Sequence, residues 1–209
     1  MRPVLLTFDV FGTVLDWRRG LLDAARAAGA TVDGDTFDRL VDRQGQLERG
    51  AYRTYAEIVA HSLEDVCGLA ADRAAAIGAA AGSWPLYPDS REGLSALLRV
   101  APCVAMTNSD RAHGEQIQRA LGFRLSRWLC AQDVGVYKPS AEFWRAAGRA
   151  MGVEPGPGWW HVSAYADYDL GVASELGLTT VFVARPHARR GPADLEVADL
   201  IALAERAAC

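Results

Sequence analysis

A chain of 209 residues, half of them hydrophobic and 23% charged, can bury a sizeable core but is too short for several independent domains, so one domain with a subdomain is expected. A formal net charge of -4 and a pI near 5.6 argue against a polyanion partner, and no nucleic acid is expected. No apolar stretch reaches membrane-spanning length and no signal-type leader precedes the first strand, which points to a cytoplasmic protein without a membrane partner.

The first predicted element is a buried parallel strand over 4–8, an apolar run that ends at Asp9 and the Gly12-Thr13 turn. Asp9 thus stands at a strand's carboxyl end, where open α/β sheets place their ligands. Position 11 is Phe11, so Asp9 acts without a second carboxylate two residues on.

Helical spacing then dominates to about residue 84, with helices over 18–29, 34–48, 51–66 and 70–81 and with Gly29, Gly50 and Gly68 as stops. From Trp84-Pro85 onward strands and helices alternate, the pattern of parallel βαβ units. The expected order is helix 90–99, strand 103–106, helix 111–121, strand 128–131, helix 141–151, a strand around 160–162, helix 169–176, strand 179–183 and a last helix over 194–207. The fold expectation is therefore α/β, a Rossmann-like doubly wound parallel sheet (1–14 and 86–209) with an inserted helical cap (15–85).

The polar residues after the strands, Asp9, Thr107-Asn108-Ser109, Lys138 and the 163–169 loop, converge on one edge of such a sheet. Lys138 is the sole lysine among 22 basic residues, which marks a position that rejects arginine's planar fork. Cys67, Cys103, Cys130 and Cys209 form no CxxC pair and read as buried free thiols. His61, His113, His161 and His187 lack ligand spacing, and His161 reads as a structural strand histidine. Trp17 reads as a core or cap-interface residue, and the basic run from Arg185 to Arg190 as a solvated loop.

Four segments in order, Asp9-Val10-Phe11-Gly12-Thr13, Thr107-Asn108-Ser109, Lys138-Pro139 and the loop ending at Asp169, resemble the four motifs of the haloacid dehalogenase superfamily over nearly the whole chain. The resemblance implies that Asp9 is a nucleophile forming a covalent intermediate. Superfamily phosphatases carry a second Asp where Phe11 stands, and hold Mg²⁺ with further carboxylates. The L-2-haloacid dehalogenase branch has an aromatic residue there and works without metal. Its arginine-bearing cap helix resembles Arg43-Gln44-Gly45-Gln46-Leu47-Glu48, which implies that Arg43 handles the substrate carboxylate and the departing halide. The chain departs from that branch at Trp144, where a tyrosine is usual, at Ala164-Tyr165-Ala166, where an asparagine is usual, and by one extra residue before Asp169.

The expected function is hydrolytic dehalogenation of short 2-haloalkanoic acids. Lys138 keeps Asp9 ionised, and Thr13, Thr107 and Asn108 orient its oxygens. Asp169 activates water or positions Lys138. Phe11, Arg43, Asn108 and Trp144 receive substrate or halide, with Ser163 and Tyr165 as further contacts. No cofactor is expected. Under the alternative of a phosphatase Mg²⁺ would be needed, with Asp167 or Asp169 as ligands, and a third reading is a small-acid or protein-binding scaffold that has lost turnover. The family resemblance implies a homodimer.

Overall fold

The computed structural model describes residues 2–209. Its strands β1 (Leu5–Phe8), β2 (Cys103–Thr107), β3 (Arg127–Cys130), β4 (Trp159–Ser163), β5 (Thr179–Val183) and β6 (Leu195–Val197) form one parallel sheet in the order β3-β2-β1-β4-β5-β6. β1, β2 and β4 are buried along their whole length, because helices cover both faces of a parallel sheet. β1 lies at the centre, with Leu6 opposite Cys103 on one side and Trp160 on the other. The chain runs outward from β1 to β3 and then crosses back to β4, so the order reverses beside β1. The crevice beyond that reversal is where such sheets bind ligands.

Between β1 and β2 come α1 (Trp17–Ala27), α2 (Thr36–Glu48), α3 (Tyr55–Cys67), α4 (Ala71–Ala79) and a 3₁₀ turn (Ala81–Ser83), followed by α5 (Ser90–Leu97). The remaining helices are α6 (Arg111–Leu121), α7 (Ala131–Val134), α8 (Ala141–Met151), α9 (Gly171–Glu175) and α10 (Leu200–Ala208). The α3 helix begins four residues later than its spacing predicts. Thr54 caps it, accepting from the Glu57 amide at 3.3 Å while the Glu57 carboxylate accepts from the Thr54 amide at 2.8 Å, so Gly50 to Arg53 stay outside the helix. Gly68 ends it at φ +65°.

The predicted helix over 194–207 is instead β6 followed by α10, which Asp199 caps by accepting from the Ala202 amide at 2.8 Å. Three residues are too few to display a strand period, and pairing with Val181 to Val183 decides their conformation. The predicted helix over 169–176 begins earlier, as a π-helical turn over Ala166–Leu170 that continues into α9. A single π-helical turn of this kind widens the start of a helix, as such turns often do at functional sites.

Two apolar layers flank the sheet. One joins Leu6, Phe8 and Val162 to the helical insertion, and the other holds Leu5, Met106, Phe143, Trp144 and Trp159 beneath α8. The insertion is tied to the sheet by polar clamps. Asp110, before α6, accepts from the amides of Tyr55 and Ala56 at 3.0 and 2.9 Å, satisfying the start of α3 from outside it. Arg185 corrects the expectation of a solvated loop. Its side chain is only 5% exposed, forms a two-pronged ion pair with Asp89 at 2.7 and 2.9 Å, and donates to the Thr13 carbonyl at 2.9 Å. The thiols of Cys103 and Cys130 are buried as expected, whereas Cys67 is partly exposed and Cys209, at the chain end, is exposed. Among the described residues no helix is long and apolar enough to cross a membrane.

Candidate active site

Asp9 follows the last residue of β1, and its amide donates to the Val162 carbonyl of β4 at 2.9 Å, which extends the ladder by one step and aims the side chain into the crevice. The following Gly12 has φ +92°, and a Cβ there would lie 2.4 Å from the Tyr165 hydroxyl, so the turn needs glycine on both counts. The turn brings Thr13 back under Asp9. Its hydroxyl donates to Asp9 Oδ2 at 2.7 Å and accepts from the Ala164 amide at 3.0 Å.

Lys138 is fully buried, with Nζ 3.0 Å from Asp9 Oδ1 and 2.7 Å from Asp169 Oδ2. Its backbone is fixed by Asn108, whose Oδ1 accepts from the Lys138 amide at 2.7 Å and whose Nδ2 donates to the Lys138 carbonyl at 3.0 Å. The Tyr168 hydroxyl joins this clasp, bonding both Asn108 and the Lys138 carbonyl. Beneath it, His161 Nδ1 meets the Thr7 hydroxyl at 2.8 Å, and its Nε2 stands 3.5 Å from Asp169.

The charges share one ammonium between two buried carboxylates. Burial pushes the Asp9 carboxyl above its ordinary range; Lys138 opposes that and the Asp169 charge adds to it. Burial acts against Asp169 as well, but Lys138 and His161 overcome it and bring that group down to about 2. Burial works against the Lys138 ammonium, and the two carboxylates outweigh it, so Lys138 stays protonated well past neutral pH. Asp169 is the firm counterion, and Asp9 is the carboxylate that faces open space.

That space is a cavity of about 650 Å³ between sheet edge and helical insertion. Asp9, Phe11, Thr107, Asn108, Lys138 and Tyr165 line it, together with Trp17, Gln44, Glu48, Arg49, Tyr52, Tyr55, Tyr137, Tyr168 and Arg189. Phe11 is wedged edge-on against Tyr55 of α3, 5.2 Å between centroids, and against Trp84 at 6.0 Å, so it joins the cavity floor to the insertion.

Several predicted site residues fall elsewhere. Arg43 turns outward, with Nε 2.7 Å from Asp65 of α3 and its side chain 36% exposed, because it lies about 140° around α2 from Glu48, the residue that does face the cavity. Trp144 is fully buried under the opposite face of the sheet, its ring 5.3 Å from that of His161. The hydroxyl of Ser163 accepts from the Tyr165 amide at 3.1 Å and serves the loop. Thr107 lines the cavity but its hydroxyl donates to Ser109 at 3.2 Å, and Asn108 holds the backbone of Lys138, so Thr13 and Lys138 are the side chains bonded to Asp9. Thr13 and Asp169 support the site from behind the cavity wall. Sequence reasoning missed Glu48, Tyr137 and Tyr168. A signal existed for Glu48, since Val41, Gln44, Gly45 and Glu48 share one face of α2. For Tyr168, which reaches the clasp only through the π turn, there was none.

The geometry joins a cavity-facing carboxylate to a buried ammonium, and the chain that carries it is similar to known proteins over most of its length. A (S)-2-haloacid dehalogenase 4A of Burkholderia cepacia is 30% identical over 92% of this chain and 87% of its own length. The crystal structure of the L-2-haloacid dehalogenase PA0810 superposes with a TM-score of 0.84 at 27% identity, covering 100% of this chain and 99% of that one. The L-2-haloacid dehalogenase of Xanthobacter autotrophicus shares the fold with a TM-score of 0.83 at 17% identity, over 97% of each chain. The haloacid dehalogenase-like hydrolase family matches residues 4–158, and the chain belongs to that family of hydrolases.

Proposed function

We propose that this hydrolase is a dehalogenase of short 2-haloalkanoic acids, with Asp9 as the nucleophile and the helical segment 15–85 as a cap over a core of 1–14 and 86–209. The observation that carries the reading is the Asp9–Lys138–Asp169 arrangement with Phe11, in place of an acid, two residues after Asp9. A magnesium-dependent phosphatase would need a carboxylate at position 11, where this chain has Phe11.

In the first step an Asp9 oxygen attacks C2 of the acid from behind the carbon–halogen bond. That bond breaks, halide leaves with the electron pair, and an aspartyl ester forms. Thr13 and Lys138 hold the two oxygens of Asp9 and thereby fix its plane for in-line attack. A large, weakly hydrated halide is received by apolar ring edges, for which Phe11, Trp17 and Tyr55 line the cavity. Water then adds to the ester carbonyl carbon of Asp9 and the bond from that carbon to the ester oxygen breaks; one water proton goes to the departing oxygen, the other to solvent, so that the 2-hydroxy acid leaves with C2 inverted and the carboxylate is restored. In this step Asp169 keeps Lys138 against the ester carbonyl, where its ammonium stabilises the developing oxyanion.

Halide release from 2-chloropropionate or fluoroacetate, undiminished by a chelator, is the expected result, with a covalent adduct on Asp9 detectable by mass spectrometry in a single turnover. Asp9→Asn should lower turnover at least about 10³-fold. A wild-type protein that releases no halide from a panel of short 2-halo acids would refute the reading. The homodimer rests on the family resemblance, and sedimentation of the purified protein measures it.

A further inference from the structure

One half-buried acid of the cavity wall has no part in the chemistry above. Glu48, the last residue of α2, lines the cavity and makes no hydrogen bond or ion pair among the described residues. The two aspartates at the sheet edge are bound, since Asp9 and Asp169 share Lys138, and of the two remaining acids of the cavity wall Asp42 is exposed while Glu48 is half-buried. The groups around Glu48 are Lys138 from the sheet edge, Arg49 next along the chain, and the phenols of Tyr55 on α3, Tyr137 before Lys138 and Tyr168 on the π turn, each of which feels the Glu48 charge or acts on it. Asp42 on α2, Tyr52 after it, and Asp9 and Arg189 from the core are the other titratable groups of the cavity wall beside these and Tyr165. The phenols titrate far above neutral pH, with burial raising Tyr52 to about 12 and Tyr55, Tyr137, Tyr165 and Tyr168 also upward.

An unpaired acid is out of place in a site for anions. Burial, opposed by the charges of Lys138 and Arg49, pushes the Glu48 carboxyl up to about 7. Near neutral pH the cavity therefore has two charge states that differ by one negative charge on its wall.

We propose that Glu48 is a specificity-determining residue that selects ligands by charge: as a neutral carboxyl it admits a halo acid's carboxylate, and as a carboxylate it repels it. The inference rests on the reading that the substrate is an anionic acid. Two like charges a few ångströms apart in a half-desolvated cavity cost tenfold or more in affinity. By linkage, binding an anion must raise the proton affinity of Glu48, so above pH 7 the complex takes up a proton that the free protein lacks.

The test uses propionate, a non-reacting acid, and isothermal titration calorimetry in buffers of different ionisation enthalpy. Wild-type affinity should fall about tenfold between pH 6 and pH 8.5, with proton uptake on binding at the upper end. Glu48→Gln should bind propionate with one affinity across that range and without uptake, while Glu48→Asp keeps the pH dependence. A pH dependence that came from Asp9 would persist in Glu48→Gln, so the variant separates the two sources. A flat wild-type profile, or the same slope and uptake in Glu48→Gln, overturns the proposal. If halide is released but propionate binding is flat with pH, the dehalogenase reading stands and the role of Glu48 falls. If no halide is released and no propionate binds at any pH, both fall.

Discussion

Lys138 does what no other basic residue of the chain can do in its place. Its ammonium lies 3.0 Å from Asp9 and 2.7 Å from Asp169 with almost no exposure of its own, and Asn108 and Tyr168 fix its backbone so that the stem has one path to the two carboxylates. A guanidinium is broader and planar, and would displace one carboxylate to reach the other. Lys138→Arg is therefore expected to cut turnover at least about 100-fold through misplacement of Asp9, with the fold retained. Lys138→Met removes the charge and leaves two buried aspartates facing each other, which should cost about 3–5 kcal/mol in urea unfolding. A Lys138→Arg enzyme of normal turnover would show that Asp9 does not need this counterion.

At the scale of elements, distant segments of the core are held in register by a clamp formed between them. Arg185, two residues after β5, reaches Asp89 before α5 and the carbonyl of Thr13, while Asp89 also accepts from the Leu200 amide at 2.8 Å. One side chain thus joins the turn that carries Thr13 to the starts of α5 and α10. Arg185→Met should lower stability by about 3–5 kcal/mol, because Asp89 is left buried without its partner, and the double variant with Asp89→Leu should recover much of that loss in the same denaturant titration. This clamp was illegible in the sequence, where Arg185 heads a basic run, because nothing local marks which arginine of such a run turns inward. The strands were legible wherever they were long: β1, β2, β4 and β5 are apolar runs that only a sheet covered on both faces explains. β6 was not, since three residues carry no period and its conformation comes from pairing with β5. The π turn that delivers Tyr168 to Asn108 was not legible either, because it depends on packing.

For the whole molecule, what the sequence disclosed of the site was the part written at strand ends. Asp9, Asn108, Lys138 and Asp169 meet because parallel strands end on one edge, whereas residues from the insertion depend on how α2 is rotated against the core, which turned Glu48 inward and Arg43 out to Asp65. That rotation has a consequence for stability as well as for binding. The Glu48 carboxyl is raised from its ordinary value to about 7, so between those limits the folded protein binds more protons than the unfolded chain, and stability falls as pH rises through that window. Asp169 behaves oppositely: lowered to about 2, it stabilises the fold above the ordinary carboxylate range and that contribution is lost only as pH falls toward 2, outside the window. Between pH 5 and pH 8 the Glu48 effect should therefore appear as a declining urea midpoint. Glu48→Gln should raise stability by roughly 1–2 kcal/mol at pH 8, less than the full shift because the group is partly open to water, and by almost nothing at pH 5. An equal gain at both pH values would mean that the amide packs better there and that the charge of Glu48 is not what the fold works against.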